Sequence, residues 1–334
     1  MSKYIIWIIV AISAITFNSI TSHAQDKPSF IFPVQCTLNE NCWTANYVDV
    51  NPNTNEVEDF TCGPRSYDGH KGTDFALKNR QVMRQGVDVL AARDGIVERL
   101  RDSEDDTPKS ETQIAAIKKN RKECGNGVFI DHGVALKTVY CHMKKGSITV
   151  KVGDQVSAGD KIGEIGQSGM AEFPHLHFGI IWENGVIDPY TGLTNQEGCG
   201  LNRGALWADP GSISYEQFSI YDGGFRASAP NFKAIEEGEH NPETLSKSGE
   251  ALVLWSAFYG LRAGDQIELT ITDPAGRVFA QQDITQEKTR ARQYYYTGRK
   301  LAGKNMPPGE YTGTIKVERL NISEKTRNFT VDLR

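Results

Sequence analysis

Six cysteines, Cys36, Cys42, Cys62, Cys124, Cys141 and Cys199, all fall before residue 200 of a chain of 334 residues. How they constrain the fold depends on the compartment, and the first residues indicate it. Lys3 precedes an apolar run from Tyr4 to Ile15, and Ser22-His23-Ala24 supplies small residues at the two positions that signal cleavage reads. The run is too short to span a bilayer comfortably. Residues 1–24 are therefore expected to be a signal peptide, leaving a periplasmic or secreted chain without a stable membrane anchor. In an oxidising compartment an even cysteine count implies disulfides, and no Cys-x-x-Cys pair points to a metal instead. Cys124 and Cys141 flank the β-like runs Val128–Ile130 and Lys137–Tyr140, joined by a turn near His132-Gly133, so a hairpin would bring them together. Cys36 with Cys42 makes a second local loop, which leaves Cys62 for Cys199.

Length allows two domains. Residues 25–206 are rich in glycine and short β-like runs. KVGDQVSAGDKIGEIGQSG (151–169) carries turn signals every few residues, as in tightly folded antiparallel strands. Lipoyl and biotinyl carrier domains share that punctuation, but Lys161 lacks the setting of a modified lysine. One helix is expected, capped at Thr107-Pro108 and ending at Gly125, behind an acidic run (Asp102, Glu104, Asp105, Asp106) that reads as a solvated loop, with a rim or lid over a cleft as the alternative. Ala208 to Ser248 reads as loop. Beyond it, alternating runs from Ala251 to Leu333, with turns at Asp273-Pro274 and Pro307-Pro308-Gly309, predict an immunoglobulin-like β-sandwich over 207–334. Forty-two acidic residues against 37 basic ones argue against a nucleic-acid partner held by phosphate neutralisation.

Histidines mark the chemistry. In Pro174-His175-Leu176-His177-Phe178 the strand-like alternation puts both imidazoles on one face, roughly 7 Å apart, with Leu176 and Phe178 on the other. His70 and Asp74 lie in a loop running into the strand Thr73–Leu77, since Gly69 and Gly72 disfavour helix. Imidazole and carboxylate suit a catalytic zinc, which takes three protein ligands and keeps one position open. His70, Asp74 and one of His175 and His177 would make that set, and His142, after Tyr140-Cys141, could supply a further imidazole. His132 reads as a turn residue.

In order and spacing these motifs, His-x-x-x-Asp, Tyr-x-His, Gly-x-Ser-Gly and His-x-His, resemble the lysostaphin-type zinc metallopeptidases over about Tyr67 to Tyr190. Ala91–Val97, Gly125–Val128, Asp131-His132-Gly133 and Asp188-Pro189-Tyr190 fit the same pattern. The resemblance implies a mainly β chain with the duplicated hybrid motif fold in its first half. It implies one zinc per chain on His70, Asp74 and His177, with His142 and His175 acting on the water and the transition state. It also implies a secreted endopeptidase acting on peptidoglycan peptides. The competing class is a non-catalytic wall-binding protein or amidase activator on the same scaffold, although all five positions are kept. The sandwich carries no metal or nucleophile constellation. It is expected to serve a wall or protein partner, and a chain ending near Leu206 to keep the metal and cut small soluble substrates; the competing expectation is that the sandwich packs over the cleft and restrains it.

Overall fold

A computed structural model describes residues 27–238, 241–301 and 306–334. The expected signal peptide lies outside the described residues. The first half runs β1 (Cys42–Asn46), β2 (Thr73–Leu77), α1 (Arg80–Gln85), β3 (Asp88–Leu90), β4 (Gly95–Arg101), α2 (Glu111–Lys119), β5 (Asn126–Asp131), β6 (Leu136–Met143), β7 (Gln155–Val156), β8 (Lys161–Glu164), β9 (His175–Trp182) and β10 (Gly185–Ile187). The second continues β11 (Ser219–Arg226), α3 (Phe232–Glu237), β12 (Thr244–Leu245), β13 (Ala251–Leu261), β14 (Gln266–Thr272), β15 (Val278–Thr285), β16 (Arg290–Lys300), β17 (Gly309–Arg319) and β18 (Ser323–Leu333). The chain is mainly β, as expected.

Alternation along β9 organises the first half. Its Leu176, Phe178 and Ile180 point into a core with Phe75 of β2 and with Tyr140, Val128 and Ile130 of the hairpin β5–β6. The strands run β1-β2-β9-β6-β5-β4-β7 across one sheet, with β10 on β9, while β3 and β8 pair separately. The opposite sheet face carries Asp74, His175 and His177, because Asp74 pairs with His177 and Ala76 with His175 in the β2–β9 register. All three expected disulfides are present: Cys36–Cys42, Cys62–Cys199 and Cys124–Cys141.

The helix differs from its expected start. Ser110, not Thr107, caps it through a capping box, in which Ser110 Oγ accepts from Gln113 N and Gln113 Oε1 accepts from Ser110 N. The acidic run before it is bound rather than free. Asp102 accepts from Gly146 N, and Asp106 accepts from Lys145 N and Gln167 N.

In the second half two sheets, β11-β13-β16 and β12-β18-β17-β14-β15, enclose one core that includes Phe225, Leu254 and Phe258 on one side and Leu269, Ile315 and Val331 on the other. The segment read as loop contains β11 and α3. Gly223, within that stretch, lies inside β11, and a Cβ there would lie 2.6 Å from the Phe329 ring, so the glycine permits close packing inside a strand.

The two halves share a third core. Trp43, Ala45, Ala76 and Phe173 of the first half pack with Tyr221, Ile235, Trp255 and Tyr259 of the second. Trp207, 3% exposed, belongs to the first core, where its ring meets Phe75, Phe178 and Tyr190. Ile213 and Tyr215 extend that core further along the chain.

This packing changes the expectation for a chain ending at Leu206. It would lose Trp207, a change worth about 3–5 kcal/mol by comparison with Trp→Ala in cores, and would bare Trp43 and Phe173. Such a chain should bind a hydrophobic dye and unfold at lower denaturant than the full chain; equal midpoints would show that the first half is self-sufficient. Paired Cys124→Ser and Cys141→Ser changes open a 17-residue loop, and should lower unfolding free energy by about 3 kcal/mol in denaturant titrations.

Candidate metal centre

Three ligand atoms converge on the face of β2 and β9 turned away from the first core. His70 Nε2 is 3.0 Å from Asp74 Oδ1 and 3.1 Å from His177 Nδ1, and His177 Nδ1 is 3.0 Å from Asp74 Oδ1. His70 and Asp74 are buried and His177 is partly buried. His70 Nδ1 donates to Tyr47 O at 2.6 Å, which leaves Nε2 as the lone-pair atom. One proton could satisfy only one side of this triangle, whereas a cation at its centre satisfies all three. Ligand atoms bound tetrahedrally to a zinc-sized ion at 2.0–2.1 Å lie roughly 3.3 Å apart, so the donor set fits a metal ion. Burial opposes ionisation of Asp74, but the neighbouring His70 and His175 rings and the hydrogen bond with His177 outweigh it and hold the carboxyl well below its usual range.

Two β-bulges aim the side chains around this triangle. In β5–β6 the register steps from Gly127 opposite Cys141 to Asn126 opposite Met143, leaving His142 as the extra residue with φ 62°. Strict alternation would send His142 to the side of Tyr140, which lies in the core. The bulge instead turns it to the triangle, its ring centroid 4.7 Å from that of His175 and 6.0 Å from that of His177. Left-handed backbone at a histidine costs of order 1–3 kcal/mol. Bonds from His142 N to Cys124 O and from Gly166 N to His142 O help offset it. His142 was expected after the end of its strand; it lies within β6.

The second bulge, between Thr44 and Asn46 of β1, places Asn46 opposite Asp74, where its Nδ2 donates to Asp74 Oδ2 at 2.9 Å. Buried Arg65 donates to the Thr44 and Ala45 carbonyls and so satisfies the bulge. Gly72 makes room for the His177 ring, since a Cβ there would stand 2.7 Å from His177 Nε2.

His142 and His175 share one arrangement. His142 Nδ1 donates to Ser168 O and His175 Nδ1 to Phe173 O, each at 2.8 Å. Both Nε2 atoms are thereby left as acceptors, and that of His175 lies 3.7 Å from Asp74 Oδ1. Burial lowers the His142 pKa well below its ordinary value, assisted by His175 and His177. It lowers that of His175 too, with Asp74 opposing. Both rings are thus biased towards the neutral form that accepts protons. His132, expected as a turn residue, bonds Asp94 O and Thr138 Oγ1 away from this group.

A cleft of about 660 Å³ opens over Asp74 and His175. Tyr67, stacked on His70 with centroids 4.3 Å apart, forms part of its wall. Pro108 and Ile114 of the helical insertion line it too, so the insertion that follows the acidic run forms part of the cleft wall. Glu236 and Ala291 come from the second half. Sequence reasoning missed Asn46, Glu236 and Ala291. Asn46 is placed by an irregularity in pairing, and the other two arrive by tertiary packing.

Residues 68–189 match Peptidase family M23. Among curated proteins, the peptidoglycan DD-endopeptidase ShyA of Vibrio cholerae is 35% identical over 112 residues, 34% of this chain and 20% of that protein. A protein of Buchnera aphidicola described as an uncharacterized metalloprotease is 32% identical over 120 residues, 36% of this chain and 25% of its own length. The chain thus spans a fifth to a quarter of these relatives. The catalytic domain of lysostaphin from Staphylococcus simulans aligns at 23% identity over 43% of this chain and 85% of that one, with a TM-score of 0.28, too loose a likeness to carry weight. The matched stretch holds His70, Asp74, His142, His175 and His177, so the whole candidate site lies within the part of the chain that is similar to Peptidase family M23.

Proposed function

We propose that this protein is an extracytoplasmic zinc endopeptidase that hydrolyses peptide bonds in peptidoglycan stem peptides or cross-links. The observation that carries this reading is the triangle of His70 Nε2, Asp74 Oδ1 and His177 Nδ1, with two carbonyl-anchored imidazoles beside it. His70, Asp74 and His177 would hold one zinc per chain. A zinc bound there would polarise the scissile carbonyl and acidify a water.

The chain's own groups do the rest. One of His142 and His175 takes a proton from the attacking water on Nε2. The other stabilises charge developing on the carbonyl oxygen or delivers a proton to the leaving amine. Their Nδ1–H bonds to Ser168 O and Phe173 O keep Nε2 free for this transfer. Asn46 takes the Asp74 oxygen that faces away from the triangle, leaving Oδ1 for the metal.

Peptidoglycan is supported as substrate by the DD-endopeptidase relatives. Three disulfides support an oxidising compartment. No described helix is long and apolar enough to cross a membrane. We read the second half as an immunoglobulin-like sandwich, supported by its two sheets around one core, with outer surface available to the wall or a protein partner.

The purified protein should carry about one zinc per chain, the count a three-ligand site implies, and His177→Ala should lose it in metal analysis. His175→Ala should keep zinc while turnover of soluble muropeptides falls about 10²–10⁴-fold. Release of the metal by His175→Ala would exchange the two histidines' roles. A zinc-loaded wild type that leaves every muropeptide intact would refute the reading.

A further inference from the structure

Residues 166–174, between β8 and β9, carry both carbonyls that orient the paired imidazoles: Ser168 O for His142 and Phe173 O for His175. The positions of these two oxygens therefore set where each Nε2 points, and the segment is gripped from three directions. On the insertion side Gln167 N donates to Asp106 Oδ1 at 2.9 Å. From α1, Arg80 Nε donates to Gln167 Oε1 at 2.8 Å. The third grip comes from the second half of the chain. Arg292 of β16 lies between two aromatic faces, 4.6 Å over the Phe173 ring and 4.8 Å over the Phe232 ring.

Arg292 is held in that slot. Its side chain is 9% exposed, and Nη1 donates to Glu236 Oε1 at 2.9 Å. Glu236 Oε2 pairs in turn with Arg80 Nη2 at 3.3 Å, so the second and third grips share one carboxylate. Phe173 is further backed by Tyr259, with centroids 5.9 Å apart, and its own ring lies 4.8 Å from that of His175. A guanidinium between two rings and largely withdrawn from water is held more firmly than an exposed one, and its planar shape suits the slot.

We propose that Arg292 is a positioning residue: it clamps Phe173 from the second half of the chain, so that the Phe173 carbonyl stays in place to hold the Nδ1–H of His175. The proposal rests on the reading of His175 as a proton-transfer group. It makes the second half part of the catalytic apparatus rather than an attachment to it.

The test uses the full zinc-loaded chain with Arg292→Met, which keeps length without charge, and Arg292→Lys, which keeps charge without the plane. Zinc content, melting temperature, kcat and KM on a soluble muropeptide dimer are measured, together with the His175 Nδ1–H proton resonance, assigned by its loss in His175→Ala. Arg292→Met should retain zinc and lose about 10²-fold in kcat, the scale of a misplaced reacting group, with KM little changed. Its His175 resonance should broaden through faster exchange with water, and Arg292→Lys should recover part of both signals. Wild-type kcat and an unaltered resonance in Arg292→Met would overturn the proposal. If Arg292→Met fails to fold, Arg292→Lys decides: lowered kcat at constant KM supports the clamp, and wild-type values refute it. A wild type that holds zinc but cleaves nothing counts against the proposed function, and the His175 resonance still decides the clamp.

Discussion

A buried carboxylate oxygen and two imidazole nitrogens about 3 Å apart are an unfavourable arrangement without a positive charge between them. Nearly everything around Asp74 exists to hold that arrangement in place. Tyr47 O fixes the His70 tautomer, Asn46 occupies the far oxygen of Asp74, and the missing side chain of Gly72 leaves space for the His177 ring. The β2–β9 register supplies Asp74 and His177 as direct neighbours. Such a site is preformed, and its repulsion becomes binding energy when a cation enters.

Period-two alternation makes part of this legible in the sequence alone. His175 and His177 could be placed on one face and Leu176 and Phe178 on the other because β9 is regular throughout. The Cys124–Cys141 bridge is legible for a similar reason: the β5–β6 hairpin pairs without a break from Asp131 opposite Lys137 to Gly127 opposite Cys141, and its bulge comes only after that. The two bulges are not legible. Their effect is to move Asn46 and His142 to the face that alternation forbids them, and no residue type marks a bulge reliably. The helix cap moved by three residues because Thr107-Pro108 and Ser110 both look like starts, and only the reciprocal bond with Gln113 separates them.

What the sequence concealed most fully was the relation between the halves. Read as strands, β13 and β16 predict a self-contained sandwich, and most of their inward residues do face its own core. Trp255, Tyr259 and Tyr294 instead pack in the cluster with Trp43 and Phe173. A pattern of apolar alternation says that a face is buried, not what buries it. The face of the first sheet that holds the candidate ligands is accordingly shared between an open cleft and a core common to both halves of the chain. Burial of Phe173 in that core ties the cleft floor to the second half.

The Cys62–Cys199 bridge has a mechanical consequence. It closes a 137-residue interval that contains all three candidate ligands and both partner histidines. A tension applied to the two ends of the chain would pass through the sulfur–sulfur bond and bypass that interval. The second half and the short N-terminal segment would stretch first. The candidate ligands inside the bridge would be spared, while Arg292 and Glu236, which lie outside it, would bear the load, so tension would loosen the grip on Phe173 before it disturbed His70, Asp74 or His177.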